Sequence, residues 1–249
     1  MQRARRFASM AVVASLALAG LSACRSGPAV AAYVGDTRIT EDRVEQIWAD
    51  ARAVVAASPP VVDPVTGAEK KATLPITRAD VVEVLVGREL LDRVAAEQNV
   101  TVPSGIAYDK VATIVGMSEK AEYVHLFGQN LALQYQVEGA MTGVPELSDE
   151  QLTGVLQRFT ANGTVPPDTT VAVLRTKMPA QLTQAVQLGV ALRDQMSKAA
   201  VPLDISVSPR YQPLEISTFD YQNDQTSPYF PLVSVPVGDD TAVPVADFS

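Results

Sequence analysis

The stretch AAYVGDTRITED, residues 31–42, decides how the N-terminal part of this chain folds. Two short β-prone runs flank Gly35 and Asp36, a pair that favours a tight turn, so the sequence predicts a β-hairpin. Thr40 precedes two acidic residues, and a threonine followed by an acidic first turn is typical of a helix N-terminus. We therefore expect a hairpin that runs directly into a helix.

Apolar residues recur at helical spacing through most of the chain beyond this hairpin. The first apolar stripe begins at Val44 and ends before the proline pair at 59–60, and residues 58–75 are expected to form a long loop. Residues 171–174 are ambiguous between strand and helix. The residues expected to start helices are, in chain order, Thr40, Thr77, Ser104, Ser118, Ser148 and Pro179.

The C-terminal part has a different residue pattern and composition. Alternating apolar residues between 205 and 216 predict one or two strands. From Phe219 onward the chain has four prolines, and no lysine or arginine follows Arg210. These features predict an acidic tail without a core of its own over 219–249. The expected fold class is mostly α, with short β segments near both ends of the mature chain.

The first 23 residues have the pattern of a secretory signal peptide. Three arginines are followed by fifteen uncharged, mostly apolar residues at 7–21, which are too few to span about 30 Å of hydrocarbon comfortably. Residues 21–24, Leu-Ser-Ala-Cys, resemble the lipobox of bacterial lipoproteins. That resemblance implies a lipid on the thiol of Cys24, cleavage before it, and a lipidated tether over 24–30. The alternative is an ordinary signal peptidase site, with Cys24 as an incidental free thiol.

Composition excludes several classes of protein. With 47% hydrophobic and 19% charged residues, the chain is globular rather than disordered. Loss of the signal peptide removes three of 20 basic residues, so 17 remain against 28 acidic ones, a net charge of −11. This balance argues against a nucleic-acid partner. The single cysteine excludes an intrachain disulfide, and the single histidine excludes most multi-histidine metal sites.

The order of elements near the N-terminus resembles the N-terminal domain of SurA-type periplasmic chaperones. The matching features are the Val34-Gly35-Asp36 turn, Ile39-Thr40 before an acidic first turn, and the second helix with its Val-Leu-Val-Gly-Arg-Glu-Leu-Leu run at 84–91. The related foldase PrsA is a lipoprotein with the same helical domain. The resemblance implies a SurA N-terminal-like helical domain over 31–218. The segment 205–211 resembles a closing C-terminal strand, which would pair with the hairpin at Tyr33.

The sequence also departs from the pattern of these chaperones. These chaperones often contain a parvulin isomerase domain of about one hundred residues, and no block of that length and pattern lies between the helices here. We therefore expect neither isomerase activity nor any other enzymatic activity, and no metal or cofactor. His125 is the only histidine, and the sequence identifies no nucleophile or orienting acid for it. A packing role is expected for it.

The candidate peptide-binding residues are aromatic. A stripe on the helix predicted for 118–141 would line a groove for apolar peptide segments or belong to the core. The candidates are Trp48, Tyr123, Phe127 and Tyr135.

Two functions are compatible with these features. The first is a lipid-anchored chaperone-like protein on the extracytoplasmic face of the cell membrane, which binds unfolded or newly exported polypeptides. The second is a dedicated adaptor or assembly lipoprotein that holds one envelope partner, through the acidic tail after Phe219.

Overall fold

The computed structural model describes residues 29–62, 67–224 and 227–238. Seven α-helices dominate these ranges, so the mostly α fold class is confirmed. The helices are α1 Glu41–Ala56, α2 Arg78–Gln98, α3 Tyr108–Val115, α4 Glu122–Ala140, α5 Asp149–Ala161, α6 Val171–Lys177 and α7 Ala180–Ala200. The strands are β1 Val30–Val34, β2 Thr37–Thr40, β3 Val61–Val62, β4 Glu69–Lys70, β5 Ser206–Val207, β6 Leu214–Tyr221 and β7 Phe230–Val237.

The hairpin predicted from the opening stretch is present. β1 pairs with β2 in antiparallel fashion, and β5 adds to the other edge of β1 with Ala32 opposite Val207. The resulting order is β2-β1-β5, so a strand from near the far end of the chain completes the N-terminal sheet. This confirms the predicted pairing of the 205–211 segment with the Tyr33 hairpin.

Side chains at the helix starts explain why several helices begin where they do. Thr40 accepts a hydrogen bond from the backbone amide of Arg43 and caps α1. Thr77 with Asp80 and Ser148 with Gln151 form reciprocal capping boxes at α2 and α5, as the sequence predicts. The expected starts at Ser104 and Ser118 are each four residues early, because α3 begins at Tyr108 and α4 at Glu122.

The structure decides one open alternative and corrects one expectation. Residues 171–174 lie in helix α6, and the loop expected over 58–75 contains the small β3–β4 hairpin. Val30, the last residue of the expected tether, is buried and belongs to β1. The expected signal peptide over 1–23, the expected lipidation site Cys24 and residues 25–28 of the expected tether lie outside the described residues.

The predicted tail without a core is wrong for most of its length. Residues 219–221 complete β6, and β7 pairs with β6 to form a long antiparallel hairpin. Leu232 and Val233 are buried against α5 and α7, whereas Val235 and Val237 join the main core, which also contains buried residues of α1 and α2. The β6–β7 hairpin therefore contributes to two hydrophobic clusters, the main core and a smaller one formed with α5 and α7. Residues 239–249 lie outside the described part of the chain.

Within the described residues, no helix is long and apolar enough to cross a membrane.

Candidate functional site

A groove of about 590 Å³ runs between α4 and the β6–β7 hairpin. The start of α2, the end of α3 and the middle of α7 complete its walls. Its volume falls within the range usual for ligand sites. Three of the four aromatic candidates, Tyr123, Phe127 and Tyr135, line this groove.

The α4 wall is a single stripe of side chains at intervals of three or four residues. This spacing places them on one face of a helix. The rings of Tyr123 and Phe127 lie 6.2 Å apart at 24° to each other. Exposure rises along the stripe, from 6% for Tyr123 to 61% for Tyr135. The stripe consists of Tyr123, Phe127, Leu131, Gln134, Tyr135 and Glu138.

The opposite wall comes from residues 217–220 of β6 and from Tyr229. Of these, residues 219, 220 and 229 were expected to lie in an acidic tail. β6 carries a bulge at this point, because its pairing with β7 shifts register around Phe219. A bulge leaves backbone groups without their ladder partners and redirects the side chains next to it. Here it turns Phe219 and Asp220 towards the groove.

Side chains from two helices satisfy the backbone of this bulge. The amide of Ser217 donates to the Glu83 carboxylate at 3.1 Å, and the Thr218 carbonyl accepts from the Gln134 amide nitrogen at 2.8 Å. The same Gln134 nitrogen donates to Glu138 at 2.8 Å. Gln134 therefore links the helix wall to the strand wall, and the bulge has a fixed place between α2 and α4.

A glycine allows β6 to approach α7. A Cβ atom placed on Gly189 would lie 2.6 Å from Cβ of Phe219 and 3.3 Å from the Thr218 carbonyl oxygen. Real Cβ atoms do not come that close to another atom without a shift of the backbone. The strand wall therefore depends on the absence of a side chain at Gly189.

The groove is acidic as well as aromatic. Asp80, Glu138 and Asp220 line it, and no lysine, arginine or histidine among the described residues does. Burial removes hydration from the Glu83 carboxylate and raises its pKa to about 7. Repulsion from the nearby carboxylates of Asp80 and Asp220 adds to this rise. Burial likewise raises the pKa of Glu138 above its ordinary value.

The hydroxyl of Tyr123 lacks a hydrogen-bond partner among the described residues, although its side chain is buried. Burial raises the pKa of this phenol, and repulsion from Asp80, Glu83 and Asp220 raises it further. The hydroxyl group is therefore close to the carboxylates of Asp80, Glu83 and Asp220. Since no described residue bonds to it, this hydroxyl group is available to a ligand or water in the groove.

Trp48, the fourth candidate, does not line the groove. Its ring packs between two guanidinium groups, with ring-centre distances of 3.8 Å to Arg78 and 5.1 Å to Arg52. Arg78 also forms an ion pair with Glu45 at 2.7 Å. These contacts give Trp48 a role in joining α1 to the start of α2.

His125 lies on α4 and packs against the ring of Tyr108 at 4.2 Å. No group of three or more potential metal ligands occurs among the residues with described positions. The strand wall was not predicted from the sequence, because Leu232–Val235 of β7 are buried continuously and lack the alternation typical of a half-exposed strand.

No protein-family model matches this chain, and no curated protein or solved structure is significantly similar to it.

Proposed function

We propose that this protein is a lipid-anchored, chaperone-like protein without isomerase activity, whose groove holds apolar segments of unfolded or newly exported polypeptides. The SurA N-terminal-like identity of its helical domain is part of the proposal. The lipid on Cys24 would hold it at the extracytoplasmic face of the cell membrane. Since β1 begins at Val30, six residues after Cys24, the folded body would lie within about 20 Å of its anchor.

One observation carries the proposal: large apolar side chains that remain exposed are concentrated at the groove. Five such residues are found in the described part of the chain, and three of them, Ile114, Tyr135 and Tyr229, line the groove. Exposed apolar surface gathered into one concave patch is typical of sites that bind apolar partners.

The two remaining exposed residues provide a matched control. Val173 on α6 and Val201 after α7 lie outside the groove, and Val201 is 83% exposed. Replacing them by serine removes apolar surface of the same kind without touching the groove walls.

The test uses the mature chain with Cys24→Ser and a denatured client whose aggregation is followed by light scattering. At near-stoichiometric ratio the protein should slow aggregation. The triple variant Ile114→Ser, Tyr135→Ser, Tyr229→Ser should lose most of this effect, and Val173→Ser with Val201→Ser should retain it. Equal behaviour of the two variants, or no suppression for several clients, contradicts the proposal.

The anchor has a separate test. Two or three acyl chains, at about 0.8 kcal/mol per buried methylene, would keep the protein on the membrane. Wild-type protein should incorporate radiolabelled palmitate in cells, and Cys24→Ser should not.

The adaptor alternative rested on an extended acidic tail after Phe219. Most of that segment forms β6 and β7, so truncation at Thr218 would remove buried core residues along with any binding segment. Residues 239–249, which carry three aspartates and no basic residue, lie outside the described part of the chain. We therefore favour the chaperone-like function.

A further inference from the structure

The charge in the groove is one-sided. The lining carries the carboxylates of Asp80, Glu138 and Asp220, and within the described chain none of them forms an ion pair. Their hydrogen bonds are to neutral groups: Thr77 at Asp80, Gln134 at Glu138 and Ser217 at Asp220. The negative charge of the lining is thus uncompensated within the protein.

A largely buried tyrosine side chain faces the same region. Tyr123 is 6% exposed, its ring lines the groove, and its hydroxyl has no partner among the described residues. Aromatic faces attract cations, and four other rings line the groove with it. These are Phe127, Tyr135, Phe219 and Tyr229.

We propose that the groove selects polypeptide segments in which a lysine or arginine lies next to apolar side chains. This inference rests on the proposed peptide-binding function and adds its specificity. Apolar side chains of the segment would contact the α4 stripe, and the cationic group would pair with the carboxylates of the lining. The pairing supplies the positive charge that the lining lacks.

Charge also argues against occupation of the groove by the C-terminal residues of the same chain. Residues 239–249 carry three aspartates and no basic residue. Like charge would disfavour their binding between Asp80, Glu138 and Asp220. A basic segment from another polypeptide is the complementary occupant.

The test compares three fluorescent nonapeptides that share an apolar and aromatic sequence and differ only at the central residue: lysine, norleucine or glutamate. Norleucine keeps the apolar stem of lysine and removes its charge. Fluorescence anisotropy with the mature Cys24→Ser chain should give about ten-fold tighter binding for lysine than for norleucine, and weaker binding for glutamate. The lysine advantage should shrink as sodium chloride rises from about 50 to 500 mM, since salt screens partly exposed charges.

A paired variant assigns the effect to the groove. Glu138→Gln with Asp220→Asn keeps the acceptors for Gln134 and Ser217 but removes two charges. On this variant the ratio of lysine to norleucine affinity should fall to about one to three. The control, Glu97→Gln with Asp168→Asn, removes two exposed charges outside the groove and should keep the ten-fold ratio. Circular dichroism melting curves verify that both variants are folded.

The outcomes separate this inference from the function on which it rests. Equal affinity for the lysine and norleucine peptides overturns the charge selectivity and leaves peptide binding intact. Failure of all three peptides to bind overturns both. A small amine, 4-phenylbutylammonium, that competes as strongly as the lysine peptide would indicate a small-molecule site and would overturn the assignment to polypeptide segments.

Discussion

The two walls of the groove are held in place by different kinds of contact. The α4 wall is a helix of nineteen residues whose backbone hydrogen bonds are internal, so its stripe of side chains follows from local geometry. The β6 wall is a bulged strand whose position depends on β7, on Gly189 of α7, and on hydrogen bonds from Glu83 and Gln134. One wall is fixed by neighbours in sequence and the other by residues far along the chain.

This difference has a consequence for function. A groove with one locally determined wall and one wall built from distant contacts should be most sensitive to changes behind the strand. The α4 residues would then set what binds, and the contacts of β6 would set whether the groove exists.

The largest effect is expected from Gly189→Ala. The added methyl group would lie 2.6 Å from Cβ of Phe219, so β6 or α7 must shift. Overpacking of this kind costs about 2 to 3 kcal/mol in the free energy of unfolding, more than the helix propensity gained from alanine. Urea denaturation measures the change.

The control for this substitution is Gly154→Ala in α5, where a Cβ would meet no atom within 4 Å. Alanine is the better helix former, so this variant should gain about 0.5 to 1 kcal/mol. Substitutions of the same type would then have opposite signs. Equal and small effects at both positions would show that β6 is not tightly held against α7.

Glu83→Gln should have a pH-dependent effect. The pKa of Glu83 in the folded protein is about 7, raised above the ordinary 4.5, so folding favours its protonated form. Its contribution to stability is therefore full below about pH 4.5 and is lost as pH rises through about 7. Glutamine keeps an acceptor for the Ser217 amide and stays neutral, so the variant should be more stable than wild type at pH 8, by on the order of 2 kcal/mol.

The measurement is urea denaturation of both proteins at pH 5 and pH 8. At pH 5 the difference should fall below about 1 kcal/mol, since Glu83 is protonated in the folded state and only the unfolded state, with the ordinary pKa of 4.5, has begun to ionise. A difference that stays constant between the two pH values would contradict the assigned burial of this carboxyl group.

Gln134→Ala should have a smaller effect. It leaves the Thr218 carbonyl without its donor from α4, and the loss of such a partner costs about 1 to 2 kcal/mol. Gln136→Ala, two residues along α4 at an exposed position, is the control and should change stability by less than about 0.5 kcal/mol. Hydrogen exchange should also show faster exchange at residues 217–220 in Gln134→Ala alone. If the two variants behave alike, Gln134 does not hold the walls together.

The same contrast explains how much of the fold the sequence predicts. The caps at Thr40, Thr77 and Ser148 and the stripe along α4 depend on residues within one or two turns, and these predictions are confirmed. The pairing of 205–211 with the Tyr33 hairpin is also confirmed, although it came from the family resemblance rather than from periodicity.

The β6–β7 hairpin was missed because its prolines suggested a tail. Pro231 and Pro236 both lie on β7, a strand with only one neighbour, and both are exposed. Proline is tolerated on such an edge because no third strand needs its missing amide hydrogen. The run from Leu232 to Val235 is buried continuously, so the alternation expected of a half-exposed strand is absent.

The helix wall of the site was therefore predicted from the sequence, and the strand wall was not. Tyr123, Phe127 and Tyr135 were identified from helical spacing, whereas Phe219, Asp220 and Tyr229 were not, since their placement depends on pairing across the hairpin and on Gly189. Trp48 lies on the apolar stripe predicted for the first helix, and its two arginine neighbours explain its position without a ligand.

Site-specific photocrosslinking tests the central claim most directly, because it reports contact with a client rather than its consequences. A benzophenone side chain placed at Tyr135, on the exposed end of the α4 wall, should form an adduct with a denatured client under ultraviolet light. The same probe at Val201, which is exposed but outside the groove, should form little or none. Adducts of equal yield at both positions, or only at Val201, would contradict the assignment of the groove as the peptide-binding site.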